Sequence, residues 1–112
     1  MKEFILYQKV YDFMLYLFPL VDRFPKHEKF ALQTQIKNSI YNLLRLTIEI
    51  QKSKNKMKLL YDFDKELEFL KTLIMFANDK KPACLSTKSR QTSMEKCIEI
   101  GKIVGGLLKT FS

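Results

Sequence analysis

The chain has 112 residues and a mass of 13.3 kDa, which is enough for one domain and excludes a second. Apolar residues make up 46% and charged residues 29%, a composition typical of a soluble globular protein and not of a disordered one. Twenty basic and twelve acidic side chains give a formal charge of +8, which favours polyanionic partners such as nucleic acids, acidic proteins or anionic membrane surfaces.

The scarcity of turn residues favours long helices over a sheet. The chain has 3 Gly and 3 Pro, too few for the many turns of a sandwich or a barrel. Apolar residues recur at every third or fourth position along nearly the whole sequence, which indicates helices. We therefore predict an all-α protein, a single domain over residues 1–112 folded as an antiparallel up-down-up-down four-helix bundle.

The first predicted helix covers residues 3–22. Its apolar residues recur at steps of three and four: Leu6, Val10, Phe13, Leu17 and Leu20. Pro19 lies late in this segment. Because proline removes a backbone donor and crowds the preceding turn, we expect it to kink the helix or to end it near Phe18.

The second predicted helix covers residues 27–52 and carries two apolar strips. The main strip, which we expect in the core, is Ile36, Ile40, Leu43, Thr47 and Ile50. The second strip is Tyr41, Leu44 and Ile48. A single packing partner needs one strip, so the second strip suggests another neighbour, such as a second subunit.

The third and fourth predicted helices cover residues 57–78 and 87–110. The expected core stripe of the third is Leu60, Phe63, Leu67, Leu70 and Ile74. The expected stripe of the fourth is Met94, Cys97, Ile98, Gly101, Val104 and Leu108. Ser86 or Thr87 is the expected N-cap of the fourth helix. Gly101 and Gly105 share a face, which suggests either close approach of a neighbouring helix or a frayed end.

Few residues are suited to catalysis or to metal binding. One histidine, His27, and two cysteines, Cys84 and Cys97, are too few for a tetrahedral zinc site with four protein ligands. No nucleophile elbow, phosphate-binding glycine loop or zinc-protease motif is present. Asp64 and Glu68 share a helix face, and we interpret them as a solvated, ion-pairing surface, with a carboxylate-dependent metalloenzyme as the alternative. We thus expect no enzyme activity, no metal and no cofactor.

The first residues do not resemble a signal peptide, because charged Lys9 and Asp12 follow the short apolar stretch at once. No stretch reaches the roughly 18 uncharged apolar residues of a membrane span. Both cysteines are expected to be reduced thiols. These observations predict a cytoplasmic protein that binds no membrane.

The excess positive charge lies on the second and fourth predicted helices and their approaches. Residues 26–54 hold six basic and two acidic side chains, and residues 82–112 hold five and two. These helices are diagonal in the predicted bundle, so a ring of subunits would be needed to join their charges into larger basic surfaces. We expect nine residues to contact phosphates or an acidic partner: Lys26, Lys29, Lys37, Arg45, Lys52, Lys54, Arg90, Lys96 and Lys102.

Short motifs follow one another along nearly the whole chain. They are Lys9-Val10-Tyr11-Asp12-Phe13, Leu17-Phe18-Pro19, Phe24-Pro25-Lys26, Lys29-Phe30-Ala31-Leu32, Ile36-Lys37-Asn38-Ser39, Leu43-Leu44, Glu66-Leu67-Glu68-Phe69-Leu70-Lys71 and the stretch from Ile98 to Lys109. In number and spacing these motifs resemble the accessory variability determinant (Avd) proteins of diversity-generating retroelements.

This resemblance implies a four-helix bundle that assembles into a barrel-like, ring-shaped homopentamer. It also implies that the protein binds the reverse transcriptase of the retroelement and its template RNA. Such binding would support the cDNA synthesis that diversifies a target gene, while the accessory protein itself is no enzyme. Basic residues on its outer surface would contact the polymerase and the nucleic acid.

A second family, the four-helix-bundle proteins encoded in intervening sequences of 23S ribosomal RNA genes, is the alternative. It would make the chain a generic RNA-associated or ribosome-associated protein. Its members also have Phe-Pro near the second helix, but they typically continue with Ser-Asn-Ile-Ala-Glu-Gly. Here the matching region reads Ser39-Ile40-Tyr41-Asn42-Leu43-Leu44-Arg45, without Ala-Glu-Gly, which favours the first family.

Overall fold

A computed structural model describes residues 2–112, with side chains from Glu3 onward. Its elements are helix α1 (Lys2–Val21), a 3-10 turn (Lys26–Glu28), and helices α2 (Leu32–Lys52), α3 (Lys56–Asp79) and α4 (Thr87–Phe111). Each helix packs against the next, and α1 also packs against α4, so α1 and α3 are diagonal, as are α2 and α4. The described residues therefore form the all-α, up-down-up-down bundle that the sequence predicted.

One face of each helix supplies a single shared core. All five residues of the predicted α3 stripe are 0–2% exposed, as are all five of the α2 stripe, in which Thr47 is a polar member. At 3.6 residues per turn these positions line one side of a helix, which is the side that meets its neighbours. The largest fully buried side chains are Phe13 of α1 and Phe63 of α3.

α1 continues through Pro19 to Val21, one residue short of its predicted end at residue 22. Of the two effects expected of Pro19, an end near Phe18 is therefore wrong. Proline leaves the carbonyl of Leu15 without its helical donor. Leu15 and Pro19 are both exposed, so they lie on the outer side of the helix, where water can bond that carbonyl. Beyond the proline, the Asp22 N–H donates to the Phe18 carbonyl at 2.9 Å, which completes the last turn.

α1 is also apolar along most of its length. By length and composition alone, its segment Glu3–Val21 qualifies to cross a membrane, with a mean hydropathy of 1.2. In the bundle, 28% of that window is buried, because one face packs in the core: Leu6, Val10, Phe13, Leu17 and Val21. Several apolar residues on its other faces remain exposed, among them Phe4, Tyr11 and Leu15.

α2 begins at Leu32, five residues after its predicted start at residue 27. A 3-10 turn follows Pro25 and redirects the chain from α1 into α2. Glu28 Oε1 accepts a hydrogen bond from the Leu32 N–H at 3.4 Å, so its carboxylate satisfies one of the free amides at the start of the helix. The turn leaves Lys29 and Phe30 exposed at one end of the bundle.

The core line of α4 differs from the predicted one in its phase. The buried residues are Ser93, Cys97, Ile100, Val104 and Leu107. Ile98, predicted in the core, is 50% exposed, and Met94 is only partly buried. Both lines are apolar or small at helical spacing, so the pattern alone did not separate them. The predicted N-cap is confirmed, since Ser86 Oγ accepts from the Ser89 N–H at 3.0 Å.

Gly101 and Gly105 mark neither a close helix approach nor a frayed end, contrary to the prediction. A Cβ added at Gly101 would meet Leu67 Cδ2 at 3.7 Å, an ordinary van der Waals contact. A Cβ at Gly105 would meet nothing within 4 Å. The helix continues past both glycines to Phe111.

Gly105→Ala is therefore expected to stabilise the protein by about 0.5–1 kcal/mol, because alanine loses less backbone freedom than glycine on entering a helix. Urea unfolding of the variant and the wild type measures this difference. Destabilisation by Gly105→Ala, or a change in the mass of the protein in solution, would contradict the open surroundings of this residue.

Candidate nucleic-acid interface

The α1–α2 and α3–α4 connections meet at one end of the bundle. We call this the basic end and define it as residues 22–37 and 79–90. Lys80 Nζ lies 3.0 Å from Glu28 Oε2, which joins the two connections directly. Arg90 donates hydrogen bonds to Asn78 Oδ1 at 3.0 Å and to Asp79 Oδ1 at 2.8 Å, which holds the start of α4 against the end of α3. Two segments that are far apart in the sequence thus form one surface.

The basic end holds eight basic and three acidic residues, a formal charge of +5. Each acidic residue already forms an ion pair with a basic one: Asp22 with Lys37, Glu28 with Lys80 and Asp79 with Arg90. Five exposed basic residues have no acidic partner within the part of the chain that the structure describes. We call them the free cations: Arg23, Lys26, Lys29, Lys81 and Lys88.

An aromatic ring is exposed among these cations. Phe30 is 88% exposed, more than any other large apolar side chain among the described residues. Lys29 Nζ lies 5.5 Å from the centroid of its ring. His27 is also exposed, with Nε2 3.9 Å from Glu28 Oε2. The basic end therefore offers both positive charge and a flat apolar face.

The formal charge is balanced along the sides of the bundle, and the end opposite the basic end is less positive than the basic end. The side segments 4–21, 38–48, 63–78 and 91–108 hold six basic and six acidic residues. The opposite end, residues 2–3, 49–62 and 109–112, holds six basic and three acidic residues. Since the bundle is 44 Å long, the two ends are separate surfaces.

The predicted binding residues are distributed over all three regions. Four lie at the basic end: Lys26, Lys29, Lys37 and Arg90. Lys52 and Lys54 lie at the opposite end, and Arg45, Lys96 and Lys102 lie on the sides. Lys37 and Arg90 are engaged in ion pairs, and Lys96 Nζ lies 5.1 Å from the ring centroid of Tyr16. The nine residues thus do not form one continuous surface on a single chain.

The nine contact residues predicted from the sequence do not include Arg23, Lys81, Lys88 or Phe30. Each lies in or beside a connection, where helical periodicity assigns no face. Lys81 belongs to a segment of nearly balanced charge, so it added little to a count along the chain. One feature of the sequence could have pointed to this site: Lys29 and Phe30 are adjacent and follow Pro25 closely. An apolar ring in a basic turn has no core position to occupy.

The Glu28–Lys80 pair lies at the centre of the basic end. The hydrogen bond from Lys80 lowers the pKa of Glu28 below its usual value of 4.5, and the same bond raises the pKa of Lys80 above 10.5. Burial raises the pKa of the neighbouring Cys84 thiol above 9.0. At neutral pH the pair is charged, and the thiol is protonated.

Glu28→Gln is expected to lower the stability of the protein at neutral pH but not in strong acid. The folded-state pKa of Glu28 is depressed, so its carboxylate stabilises the fold above about pH 4.5, and this contribution is lost as the pH falls through the lowered pKa. Thermal unfolding over a pH series measures the difference between variant and wild type. A difference that stays constant down to the lowest pH would contradict this role.

Exposed and partly buried apolar residues lie along the α1–α2 side of the bundle. We define the α1–α2 strip as Tyr11, Leu15, Phe18, Tyr41 and Ile48. Four of these five residues line a groove of about 380 Å³ between the two helices, and the Tyr41 ring meets Phe18 edge-on at 5.3 Å between centroids. Of the predicted interface residues, Tyr41 and Ile48 are 49% and 42% exposed, whereas Leu44 packs partly against the core.

A second set of exposed apolar residues lies on α3. We define the α3 strip as Tyr61, Phe69 and Phe76, whose side chains are 46–53% exposed. Their spacing places them on the outer face of α3, opposite the core stripe of that helix. Because α1 and α3 are diagonal, the two strips lie on different sides of the bundle.

Glu66 and Glu68 of α3 form contacts with other side chains, whereas Asp64 is exposed and has no ion-pair partner among the described residues. Glu66 accepts hydrogen bonds from Ser39 Oγ at 2.7 Å and from Asn42 Nδ2 at 3.3 Å, which ties α3 to α2. Glu68 pairs with Lys71 at 3.4 Å on the exposed side of the helix. From residue 2 to residue 112, no three His, Cys, Asp or Glu side chains cluster closely enough to hold a metal ion.

The two cysteines are free thiols, as expected. Cys97 lies in the core, where burial raises its pKa to about 12, so it packs as a small apolar residue.

A groove of about 390 Å³ between α1 and α4 is lined by Ile5, Lys9, Glu99, Lys102, Ile103 and Gly106. An ion pair between Lys9 Nζ and Glu99 Oε1, at 3.2 Å, connects its two walls. Of the two lysines that line this groove, Lys9 is thus engaged in an ion pair. Lys102 has no ion-pair partner among the described residues.

Comparison with known proteins gives a match to one family model. The model is described as bAvd-like, and it matches residues 4–111. The matched region includes all of α2, α3 and α4 and most of α1. No curated protein matches the chain.

Proposed function

The chain belongs to the bAvd-like family, and from this membership we propose that it is a non-catalytic accessory protein of a diversity-generating retroelement, acting in the cytoplasm. It binds the reverse transcriptase and the template RNA through basic surfaces and supports mutagenic cDNA synthesis. The observation that carries this proposal is the family match over residues 4–111. The net charge of +8 supports it, because phosphate contacts need basic side chains.

The protein acts as a ring of identical subunits, and the resemblance to the Avd family implies five. Each subunit of such a ring uses two different surfaces, because it meets one neighbour on each side. The α1–α2 strip and the α3 strip supply two apolar surfaces on different sides of the bundle. The strip containing Tyr41 and Ile48 packs against the α3 strip of the next copy, and Leu44 supports it from beneath.

Copurification tests this function. The tagged chain is mixed with the reverse transcriptase of a diversity-generating retroelement, with and without its template RNA, and an unrelated reverse transcriptase serves as the control. We expect a stable complex with the retroelement enzyme and none with the unrelated reverse transcriptase. If the chain binds RNA but neither enzyme, the proposal fails in favour of a generic RNA-associated bundle.

A further inference from the structure

We propose that the basic end is a binding site for single-stranded RNA, in which the free cations contact phosphates and a base stacks on Phe30. This inference rests on the proposed function, which assigns RNA binding to the chain but names no surface for it. It differs from the prediction made from the sequence, which spread the contacts over α2 and α4.

The electrostatics of the basic end favour phosphate binding. The basic end has a formal charge of +5, whereas the sides of the bundle are neutral. Its three carboxylates are already paired, so none is left to compete with phosphates for the free cations. Long, exposed lysine and arginine side chains on two adjoining connections can follow a flexible backbone, and each phosphate they neutralise releases a counterion.

The exposed ring of Phe30 favours contact with a nucleic-acid base. An apolar ring that is 88% exposed gains nothing from the core of its own chain. Rings of this kind, set among cations, stack on the bases of single strands, and such stacking tolerates any sequence. In a duplex the base faces are already stacked, so Phe30 favours single-stranded over double-stranded RNA.

The opposite end of the bundle is a weaker candidate although it is also basic. Lys56 and Lys58 are paired there with Glu3 and Asp62. The carboxylate of Glu49 has no basic partner among the side chains that the structure describes, so it repels phosphates. Three exposed lysines at this end provide a matched control of equal charge: Lys52, Lys54 and Lys109. Lys52 and Lys54 were among the nine contacts expected from the sequence, and the placement of the site at the basic end replaces that expectation.

Assembly strengthens the site. In any closed ring with rotational symmetry, equivalent parts of each subunit lie at the same height along the axis. All basic ends therefore lie at one height around the axis, and an RNA strand long enough to reach several of them binds with a raised effective concentration.

The charge test uses a short fluorescent single-stranded RNA and the full chain. The triple variant Lys26→Gln, Lys29→Gln, Lys88→Gln is compared with Lys52→Gln, Lys54→Gln, Lys109→Gln. All six lysines are exposed and lack acidic partners among the described residues, so both variants are expected to fold. We expect the first to bind about tenfold or more weakly and to lose about 2 from the slope of log affinity against log salt, and the second to stay near wild type.

The stacking test uses Phe30→Ala and Phe30→Tyr. We expect Phe30→Ala to bind the single strand about tenfold more weakly, with an unchanged salt slope and unchanged affinity for a duplex of the same sequence. Phe30→Tyr keeps an aromatic ring, so we expect it to bind the single strand as tightly as the wild type does.

The outcomes separate this inference from the proposed function. If the wild type binds RNA and the basic-end variants bind equally well, the placement is overturned and the proposed function stands. If the basic-end variants lose the reverse transcriptase but keep RNA, the surface binds protein and the inference fails. If the wild type binds no RNA at low salt, both the placement and the RNA-binding part of the proposed function fail.

Discussion

Tyr41→Glu and Ile48→Glu together are expected to convert the proposed subunit ring into monomers while leaving the helix content unchanged. Both side chains are about half exposed on the single chain, so glutamate is tolerated there in the monomer. Between two subunits the same carboxylates would be buried without a partner, which costs several kcal/mol for each charge. Light scattering or native mass spectrometry gives the mass, and circular dichroism gives the helix content.

The matched control carries two glutamates elsewhere. Gln91→Glu and Thr110→Glu add the same charge at exposed positions of α4, away from both apolar strips. This control is expected to keep the assembled mass. If the Tyr41 and Ile48 variant also stays assembled at low and high salt, the α1–α2 strip is not the interface.

Phe63→Ala is expected to destabilise the protein by about 3–5 kcal/mol, because it removes a fully buried ring and leaves a cavity in the core. For a domain of this size the melting temperature should fall by more than about 10 °C. Urea and thermal unfolding measure both quantities. The two unfolding experiments should give the same order of stability for the variants.

Phe30→Ala is the matched control for this loss. It makes the same chemical change at a ring that is 88% exposed, and its effect on stability should stay within about 0.5 kcal/mol. The comparison also shows whether the Phe30 variant used for RNA binding is folded. Equal stabilities of the two variants would contradict the assigned core.

The sequence was sufficient for the bundle because the buried positions of α2 and α3 repeat at helical spacing without ambiguity. The sequence was not sufficient where two arrangements of a helix satisfy the same apolar periodicity. In α4, apolar or small residues follow one another at Cys97, Ile98, Ile100 and Gly101, and packing of the neighbouring helices decides which line is buried. Of the two effects expected of Pro19, ending the helix near Phe18 was wrong, because the cost of proline depends on whether the freed carbonyl faces water, which periodicity does not show.

The candidate site was harder to predict than the fold. A count of charges along the chain located the excess on α2 and α4, but it did not show that most of it lies at one end. That result depends on the ion pairs and on the antiparallel path, which brings Lys88 to the same end as Lys26. Residues 27–31 were predicted to begin α2, but a 3-10 turn covers Lys26–Glu28 and α2 begins at Leu32. This turn exposes Phe30.

The central claim, that this chain supports cDNA synthesis as an accessory protein, is tested most directly by reconstitution. Purified reverse transcriptase and template RNA of a diversity-generating retroelement are incubated with nucleotides, with and without the chain, and the cDNA is quantified. We expect the amount of cDNA to depend on the chain and to fall with the triple variant of the basic end. Equal cDNA synthesis with and without the folded chain would contradict this claim.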